Sequence, residues 1–528
     1  MTALPLLKLT SDYVAFHADK TPDTLFLWCS DGSYNYQQSR TLVDDCAAKL
    51  LTLGINKGDR VAWYGNPTPA CFLHFLATGS IGAIWTGLNP KYTRTELEYV
   101  LGDAQPAFIF AQVSATKEDR ADELIELAAA CNAKLISFGV EQSLKTEFEA
   151  YCAPQGEADS SAIANTLAQR REQIDTHDPA FIVYTSGSTG KPKGALLSHY
   201  GENFCNIIAV ERKGLAGRKM ICNLPINHVG AISDICGRAM TGGGSLYFQE
   251  HFNPVAMMQL IEQEKIDTWG AVPAVFQICA NAAEFDDVDL SSVELIAWGG
   301  ARMPQDLIRN LVKKTGATQF TMGYGMTETV GGVTYCRLDD NLEVLSETIG
   351  TPDPRQPIRL WHEEERAACP GERGEIQVKG DFVMCGYWRR EQATQEAFTE
   401  DGWMKTGDVA IVRPDGNLEI VGRLSEMFKS GGYNVYPREI ELALEENENV
   451  ALAAVVSRPD PTFQEVGHAF VMMESGRSIS NEELKTFLKD RLANYKIPKS
   501  ITQLEALPML PIGKVDKKEL KNIAAMDG

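Results

Sequence analysis

Apolar runs too short for helices alternate with stretches of helical periodicity over about the first 400 residues. Phe108-Ile109-Phe110, Phe181-Ile182-Val183-Tyr184 and Val293-Glu294-Leu295-Ile296-Ala297-Trp298 read as short buried strands. Strand and helix patterns in alternation predict stacked α/β layers. The second and third of these runs lead straight into turns rich in Gly or Ser, and in open α/β sheets functional loops gather beyond the carboxyl ends of strands. Glu375-Ile376-Gln377-Val378-Lys379 alternates polar with apolar, which predicts a half-exposed antiparallel strand.

The pattern changes after Gly422-Arg423. Tyr436-Pro437-Arg438-Glu439 puts Pro at a first helical position with an acid in the first turn, and Ile440 and Leu444 then share one face. An apolar strand over Ala451 to Val456 and an amphipathic helix over Asn481 to Leu492 follow. This predicts a large α/β domain over 1–423 and a small α+β domain over 424–528. There is no internal repeat and no low-complexity tract.

A chain of 528 residues exceeds what one core usually holds, in agreement with two or more domains. The formal charge of −21 argues against a nucleic-acid partner, since phosphate backbones demand a basic face. It does not exclude an anionic substrate, because screening limits the global field to roughly 8–10 Å and a few local cations set the sign of a cleft. The cysteines lie scattered from Cys29 to Cys385 without a C-x-x-C pair, and no Cys/His spacing suggests zinc. No apolar run is long enough to span a membrane, and Met1 to Tyr13 lacks the basic leader and long apolar run of a secretory signal. The expectation is a cytoplasmic protein with no membrane span, and a homodimer is left open.

The densest chemistry lies in Tyr184-Thr185-Ser186-Gly187-Ser188-Thr189-Gly190-Lys191-Pro192-Lys193-Gly194. Its glycines let backbone N–H groups approach an anion, and its hydroxyls and lysines supply donors for phosphate oxygens. It is not the Walker loop G-x-x-x-x-G-K-S/T: two residues separate Gly187 from Gly190, and Pro192 stands where a magnesium-binding hydroxyl belongs.

This loop resembles the phosphate-binding signature of the adenylate-forming superfamily, which includes acyl-CoA synthetases, luciferases and peptide-synthetase adenylation domains. Further motifs follow in the family's order, so the resemblance covers about residues 30 to 517. It implies a multi-layer α/β N-terminal domain with a small β-barrel-like part, and a small mobile C-terminal domain. Thr185 to Lys191 then become ATP contacts. In Gly323-Tyr324-Gly325-Met326-Thr327-Glu328 the resemblance gives Tyr324 the adenine, Thr327 the α-phosphate and Glu328 a Mg²⁺ ion. An aromatic face suits a nucleobase and a hard cation prefers carboxylate oxygen. Gly300, Ala301 and Gly323 line the nucleotide, Asp408 of Thr406-Gly407-Asp408 and Arg423 hold the ribose, and Ile420 lies with them. Gly374-Glu375 and Gly386-Tyr387-Trp388 match the family pattern as structural elements.

By the same resemblance, Lys514 neutralises charge during adenylation, although Met509, Leu510 and Pro511 depart from the family's usual loop. Lys429 serves the thioester step, and Gly431 and Gly432 line a pantetheine tunnel once the small domain rotates. Ser425 replaces the usual charged hinge residue and is followed by Glu426.

The implied reaction is an acid–CoA ligation with ATP, Mg²⁺ and coenzyme A. A carboxylate attacks the α-phosphate, pyrophosphate leaves, and a thiol then displaces AMP from the acyl-adenylate. The acid pocket falls near His228, Val229, Gly299 and Met322. Amino-acid-activating relatives carry Phe-Asp where His228-Val229 aligns, and Val229 cannot pair with an ammonium group. The expected substrate is therefore an apolar acid, whether aromatic, alicyclic or medium-chain. Two other readings stay open: a carrier-protein phosphopantetheine as acceptor, and a nucleotide-binding protein without turnover.

Overall fold

A computed structural model of the chain describes residues 3–113, 120–154, 157–185, 191–509 and 515–526. The chain divides into two compact units, one of residues 1–357 with 378–404, the other of 358–377 with 405–528.

The first unit contains two large sheets. In one, six parallel strands run in the order Gln319–Met326, Leu295–Gly299, Thr268–Ala271, Lys219–Cys222, Ser245–Phe248 and Leu25–Cys29, with antiparallel strands at both edges. In the other, Lys134–Phe138, Phe108–Gln112, Arg60–Tyr64, Ile84–Leu88 and Pro179–Thr185 are parallel. Lys193–Ser198 and Gly386–Tyr387 extend that edge antiparallel. The helix Pro69–Ser80 packs against Ile84–Leu88 of one sheet and Leu25–Cys29 of the other. Every residue in it is buried, which explains why its sequence, Pro-Ala-Cys-Phe-Leu-His-Phe-Leu-Ala-Thr-Gly-Ser, carries apolar groups on all faces. Its start is fixed by the Thr68 hydroxyl, which accepts from the Cys71 N–H, with Pro69 in the first turn. His74 in this helix lies against Phe110 and Trp63, and burial pushes its pKa down to about 3, so the ring is neutral.

The three runs expected as buried strands are strands, the third beginning at Leu295 because Val293 donates into a turn. The strand Gly374–Val378 is more buried than its alternation predicts. Gln377 is buried, where its amide accepts from Arg359 Nε at 2.8 Å and donates to Glu375 at 2.9 Å. A satisfied amide can thus occupy a position that periodicity assigns to solvent.

The second unit holds a four-stranded sheet, Ile358–Trp361, Gly374–Val378, Met404–Val412 and Leu418–Arg423, and a second sheet built on the hairpin Val450–Asp460 with Gln464–Met473. Helices Pro437–Glu445, Asn481–Lys489 and Lys517–Met526 belong to it. Ile440 and Leu444 are buried with Val455, Val471, Leu484 and Leu488 in one core. Ser480 and Glu483 form a reciprocal capping box at the start of the second helix. Packing groups the four-stranded sheet with the C-terminal segment. The boundary expected after residue 423 is taken up below as a proposal.

Lys517 joins Glu426 to Glu441 in this unit, its ammonium 2.8 Å from the nearly buried Glu441 carboxylate. Burial opposes the Lys517 charge, but Glu441 and Glu426 outweigh it and raise its pKa. Lys517→Met is expected to cost about 2 kcal/mol in urea unfolding. That is less than the roughly 3–5 kcal/mol of a wholly buried broken pair, because Arg438 and the Val455 N–H still serve Glu441. An unchanged midpoint and slope would show that Lys517 is dispensable to the fold.

Candidate active site

Thr185 ends a strand of the first unit, and its register partner is Lys193 on the next strand, antiparallel to it. The donor-rich loop therefore joins two antiparallel strands, whereas a Walker loop leads from strand to helix. The helix His199–Lys213 follows only after that second strand, with Ser198 as its N-cap. Ser186, Gly187, Ser188, Thr189 and Gly190 lie outside the described residues. Exposed Lys191 places its ammonium 5.6 Å from the Tyr99 ring. The Tyr99 hydroxyl donates to the Pro192 carbonyl at 2.8 Å, so the end of the loop is tied down.

Glu328 lies in a single 3₁₀ turn, Thr327–Thr329, that follows the strand Gln319–Met326. The geometry there leaves little choice of residue. A Cβ on Gly325 would lie 1.8 Å from the Gly331 carbonyl oxygen, and Val330 adopts a φ of +55°, which is rare for a β-branched residue. Such strain persists only where surrounding structure enforces it, and it gathers at functional sites. Gly325→Ala is expected to melt earlier and to lose most activity. Wild-type melting and turnover would remove that constraint from the account.

The Glu328 carboxylate is 6% exposed. It accepts from the Tyr387 hydroxyl at 2.7 Å and from the Thr185 hydroxyl at 3.5 Å, and among the described residues no Lys, Arg or His pairs with it. Burial, followed by the nearby Glu328 charge, raises the Tyr387 pKa well above its ordinary value, so the phenol stays a proton donor. Lys193 lies 4.7 Å from the Tyr387 ring. Gly386-Tyr387-Trp388, expected to be structural, thus also reaches the site: Tyr387 touches Glu328, while Trp388 donates to the Asp103 carbonyl at 3.0 Å. Sequence alone missed this bond because the two residues lie far apart in the chain.

Tyr324 is buried, and Gly323 pairs with Gly299 across the parallel strands. Met322 is buried, Gly300 is exposed with a φ of +79°, and Ala301 is exposed. His228 and Val229 are half-buried at the start of a π-helix over Gly230–Gly237, where the His228 carbonyl accepts from Ala231 and Ile232. π-Turns of this kind are frequent at functional sites, and no sequence period announces them.

In the second unit Asp408 and Arg423 are register partners on neighbouring antiparallel strands. Arg423 Nε donates to the buried Asp408 carboxylate at 2.6 Å. The two residues expected to share a ribose are therefore held by one another, with Ile420 on the same strand as Arg423. Lys429 is exposed beside a turn in which Gly431 and Gly432 have φ of +57° and +87°, and the Gly431 N–H donates to the Phe463 carbonyl at 2.9 Å. Lys514 lies outside the described residues, in the segment between the bridge partners Met509 and Val515.

Residues 14–388 match the AMP-binding enzyme family, and residues 439–514 match the AMP-binding enzyme C-terminal domain. The chain belongs to the AMP-binding enzyme family. A feruloyl-CoA synthase of Amycolatopsis sp. is 33% identical over 487 residues, covering 92% of this chain and 93% of that protein. An indoleacetate–CoA ligase of Aromatoleum aromaticum is 30% identical over 522 residues, covering 98% of each. The solved structure of ATP-bound MatB from Rhodopseudomonas palustris superposes with a TM-score of 0.84 at 27% identity, covering 97% of this chain and 98% of that one. This member of the AMP-binding family is an adenylate-forming acid–CoA ligase, with the large α/β unit and the smaller β-rich C-terminal unit of that fold. Among the described residues no helix is long and apolar enough to cross a membrane.

Proposed function

We propose that the chain activates an apolar-bodied aromatic, alicyclic or medium-chain carboxylic acid as its acyl-adenylate, with Glu328 as the carboxylate that holds Mg²⁺, and passes the acyl group to coenzyme A. The observation that carries the metal assignment is the Glu328 side chain itself. A buried carboxylate is normally paired with a cation or bound to a metal, and Glu328 has only hydroxyl donors among the described residues. The described residues contain no cluster of three or more His, Cys, Asp or Glu that could cage a metal. A single carboxylate suits Mg²⁺, which takes one or two carboxylates and completes its shell with water and substrate phosphates. Bound there, Mg²⁺ supplies neutralisation of phosphate charge.

The chain's own residues position and neutralise. A carboxylate oxygen attacks the α-phosphorus of ATP, the bond to the bridging oxygen breaks, and pyrophosphate leaves. Thr327 and the hydroxyls and N–H groups of 185–190 hold phosphate oxygens, and Lys191 and Lys514 offset the charge that gathers on them. Tyr324, Gly300, Ala301 and Gly323 receive the adenine end, and Asp408, Arg423 and Ile420 the ribose end. In the second step the CoA sulfur attacks the acyl carbon, the thiol proton goes to solvent, and AMP leaves. Lys429 and the Gly431-Gly432 turn serve this step, with the large domain ending at residue 423 and the small domain turning about Ser425. His228, Val229, Gly299 and Met322 line the acid. A cytoplasmic location is part of this reading, supported by twelve cysteines that are all unpaired.

The test of the acid and acceptor is release of pyrophosphate and AMP across a panel of acids, with and without CoA. AMP release that depends on CoA for one acid class supports the reading. Pyrophosphate release indifferent to CoA keeps the adenylate chemistry and moves the acceptor to a carrier protein.

A further inference from the structure

The helix His199–Lys213 packs against the strand Gly331–Tyr335 and carries several buried polar groups. Glu202 accepts from Ser233 and, at 2.7 Å, from Asn206, and burial pushes its pKa up to about 7. Asp234 and Arg238 pair with each other on the π-helix side. Each of these groups has a partner close by, although among the described residues Arg238 Nε has none. Lys213 lies on the last turn of the helix.

Lys213 is 5% exposed, and among the described residues its ammonium makes no hydrogen bond and no ion pair. Its nitrogen lies 5.8 Å from the ring centroid of buried Tyr335, at the outer limit of a cation–π contact, with Asp234 and Arg238 near enough to act on its charge. The side chain is aimed at Gly323: a Cβ there would lie 3.0 Å from the Lys213 nitrogen and 3.3 Å from its Cε. The missing side chain of Gly323 therefore leaves the space that the ammonium faces. Gly323 sits beside Gly299, where the parallel strand Leu295–Gly299 ends. Crevices at the carboxyl ends of such strands take ligands. Burial and then the nearby Arg238 push the Lys213 pKa down to about 7, with Asp234 offsetting part of that. A buried lysine in this state gains from an acceptor brought by a ligand.

The direction of the ligand follows from the strand. Thr327 and Glu328 lie four and five residues beyond Gly323, at most about 13 Å and 17 Å away at 3.3 Å per residue. That is the span of a ring-bearing acid rather than of a two-carbon one. If the reacting carboxylate lies at the Thr327 end, the far end of the acid lies toward Lys213. The apolar residues assigned to the acid, Val229 and Met322, would take its middle.

We infer that Lys213 is a specificity-determining residue that donates a hydrogen bond to an oxygen acceptor at the remote end of the acid, so that the substrate is a ring-bearing carboxylic acid with a phenolic or ketone oxygen opposite its carboxyl group. This rests on the acid–CoA ligase reading and narrows it: the acid has an apolar body and one polar end. A wholly aliphatic chain leaves the ammonium without a partner, which is disfavoured in a buried site.

Two acid pairs matched in size test the inference, and they separate the two sources of oxygen: 4-hydroxycinnamate against 4-methylcinnamate, and a keto-substituted alicyclic propanoate against its methylene analogue. For at least one pair the wild-type chain is expected to prefer the oxygen-bearing member in kcat/KM by roughly 10- to 100-fold, the worth of a hydrogen bond to a charged group. Lys213→Met is expected to bring that ratio to within about threefold of unity, mainly through KM for the acid, with little change in KM for ATP and CoA. Lys213→Gln, which keeps a shorter donor, is expected to fall between the two. No preference in either pair for the wild-type chain overturns the inference by itself, whether or not the variants fold. A preference that survives in Lys213→Met, or an equal fall on both members of a pair, overturns it too. The ligase reading fails separately: it is lost only if the wild-type chain forms no acyl-CoA from any acid.

Discussion

Lys514→Ala is expected to lower acyl-adenylate formation by about 10²–10³-fold, the usual effect of removing one fixed donor at developing charge. Conversion of supplied acyl-AMP to acyl-CoA should be largely spared. The split follows from the chemistry of the two steps. Adenylation concentrates negative charge on the α-phosphate as the carboxylate approaches it, and a cation placed there stabilises the transition state more than the ground state. Thioester formation builds its charge at the acyl carbon, and a lysine assigned to the phosphate contributes nothing to it. The measurement is rapid-quench formation of acyl-AMP beside single-turnover consumption of synthetic acyl-AMP with CoA. Equal losses in both halves would reject the role. Lys429→Ala should show the opposite bias, which makes the pair of variants an internal control.

Glu328→Gln is the second substitution with a large expected effect. The side chain keeps its size and can still accept from Tyr387, now 2.7 Å from Oε1, so the fold should hold. It loses the charge that a hard divalent cation requires. Pyrophosphate release is expected to fall by about 10³-fold at ordinary Mg²⁺, with partial recovery at high Mg²⁺, since uncharged oxygen ligands weaken a site without abolishing it. A variant with unchanged rate and unchanged Mg²⁺ dependence would remove Glu328 from the metal. Tyr387→Phe separates the carboxylate from its support. Losing one hydrogen bond to a charged group should cost roughly 10- to 100-fold, well short of the loss of the charge itself.

The parts of the site that could be read from the sequence were those carried by consecutive residues. The loop from Tyr184 to Gly194 drew the expectation of a phosphate binder because glycines and hydroxyls fall together, and the Walker alternative failed on spacing alone. The hairpin that frames it was not legible, since a seven-residue interval leaves open whether strand or helix follows. Gln377 was misplaced on a solvent face because periodicity cannot see a hydrogen bond to Arg359. Contacts between distant segments were invisible in principle: Tyr387 with Glu328, the register pairing of Asp408 with Arg423, and Lys517 between Glu426 and Glu441. Glu426 had stood out only as the residue that follows Ser425 at the hinge position, and the structure gives it Lys517 as a partner. The π-helix after Val229 and the buried ammonium of Lys213 left no trace in composition or spacing. The sequence pointed to an acid pocket of small and apolar residues, and Lys213, about fifteen residues before His228, did not enter that reading.

The most direct measurement is AMP and pyrophosphate release from MgATP, followed with purified full-length chain across aromatic, alicyclic and medium-chain acids, each with and without CoA. The account predicts AMP and acyl-CoA in equal amounts, dependent on CoA and on Mg²⁺, for ring-bearing acids above all. Turnover of ATP that yields no acyl-CoA with any of these acids would contradict it.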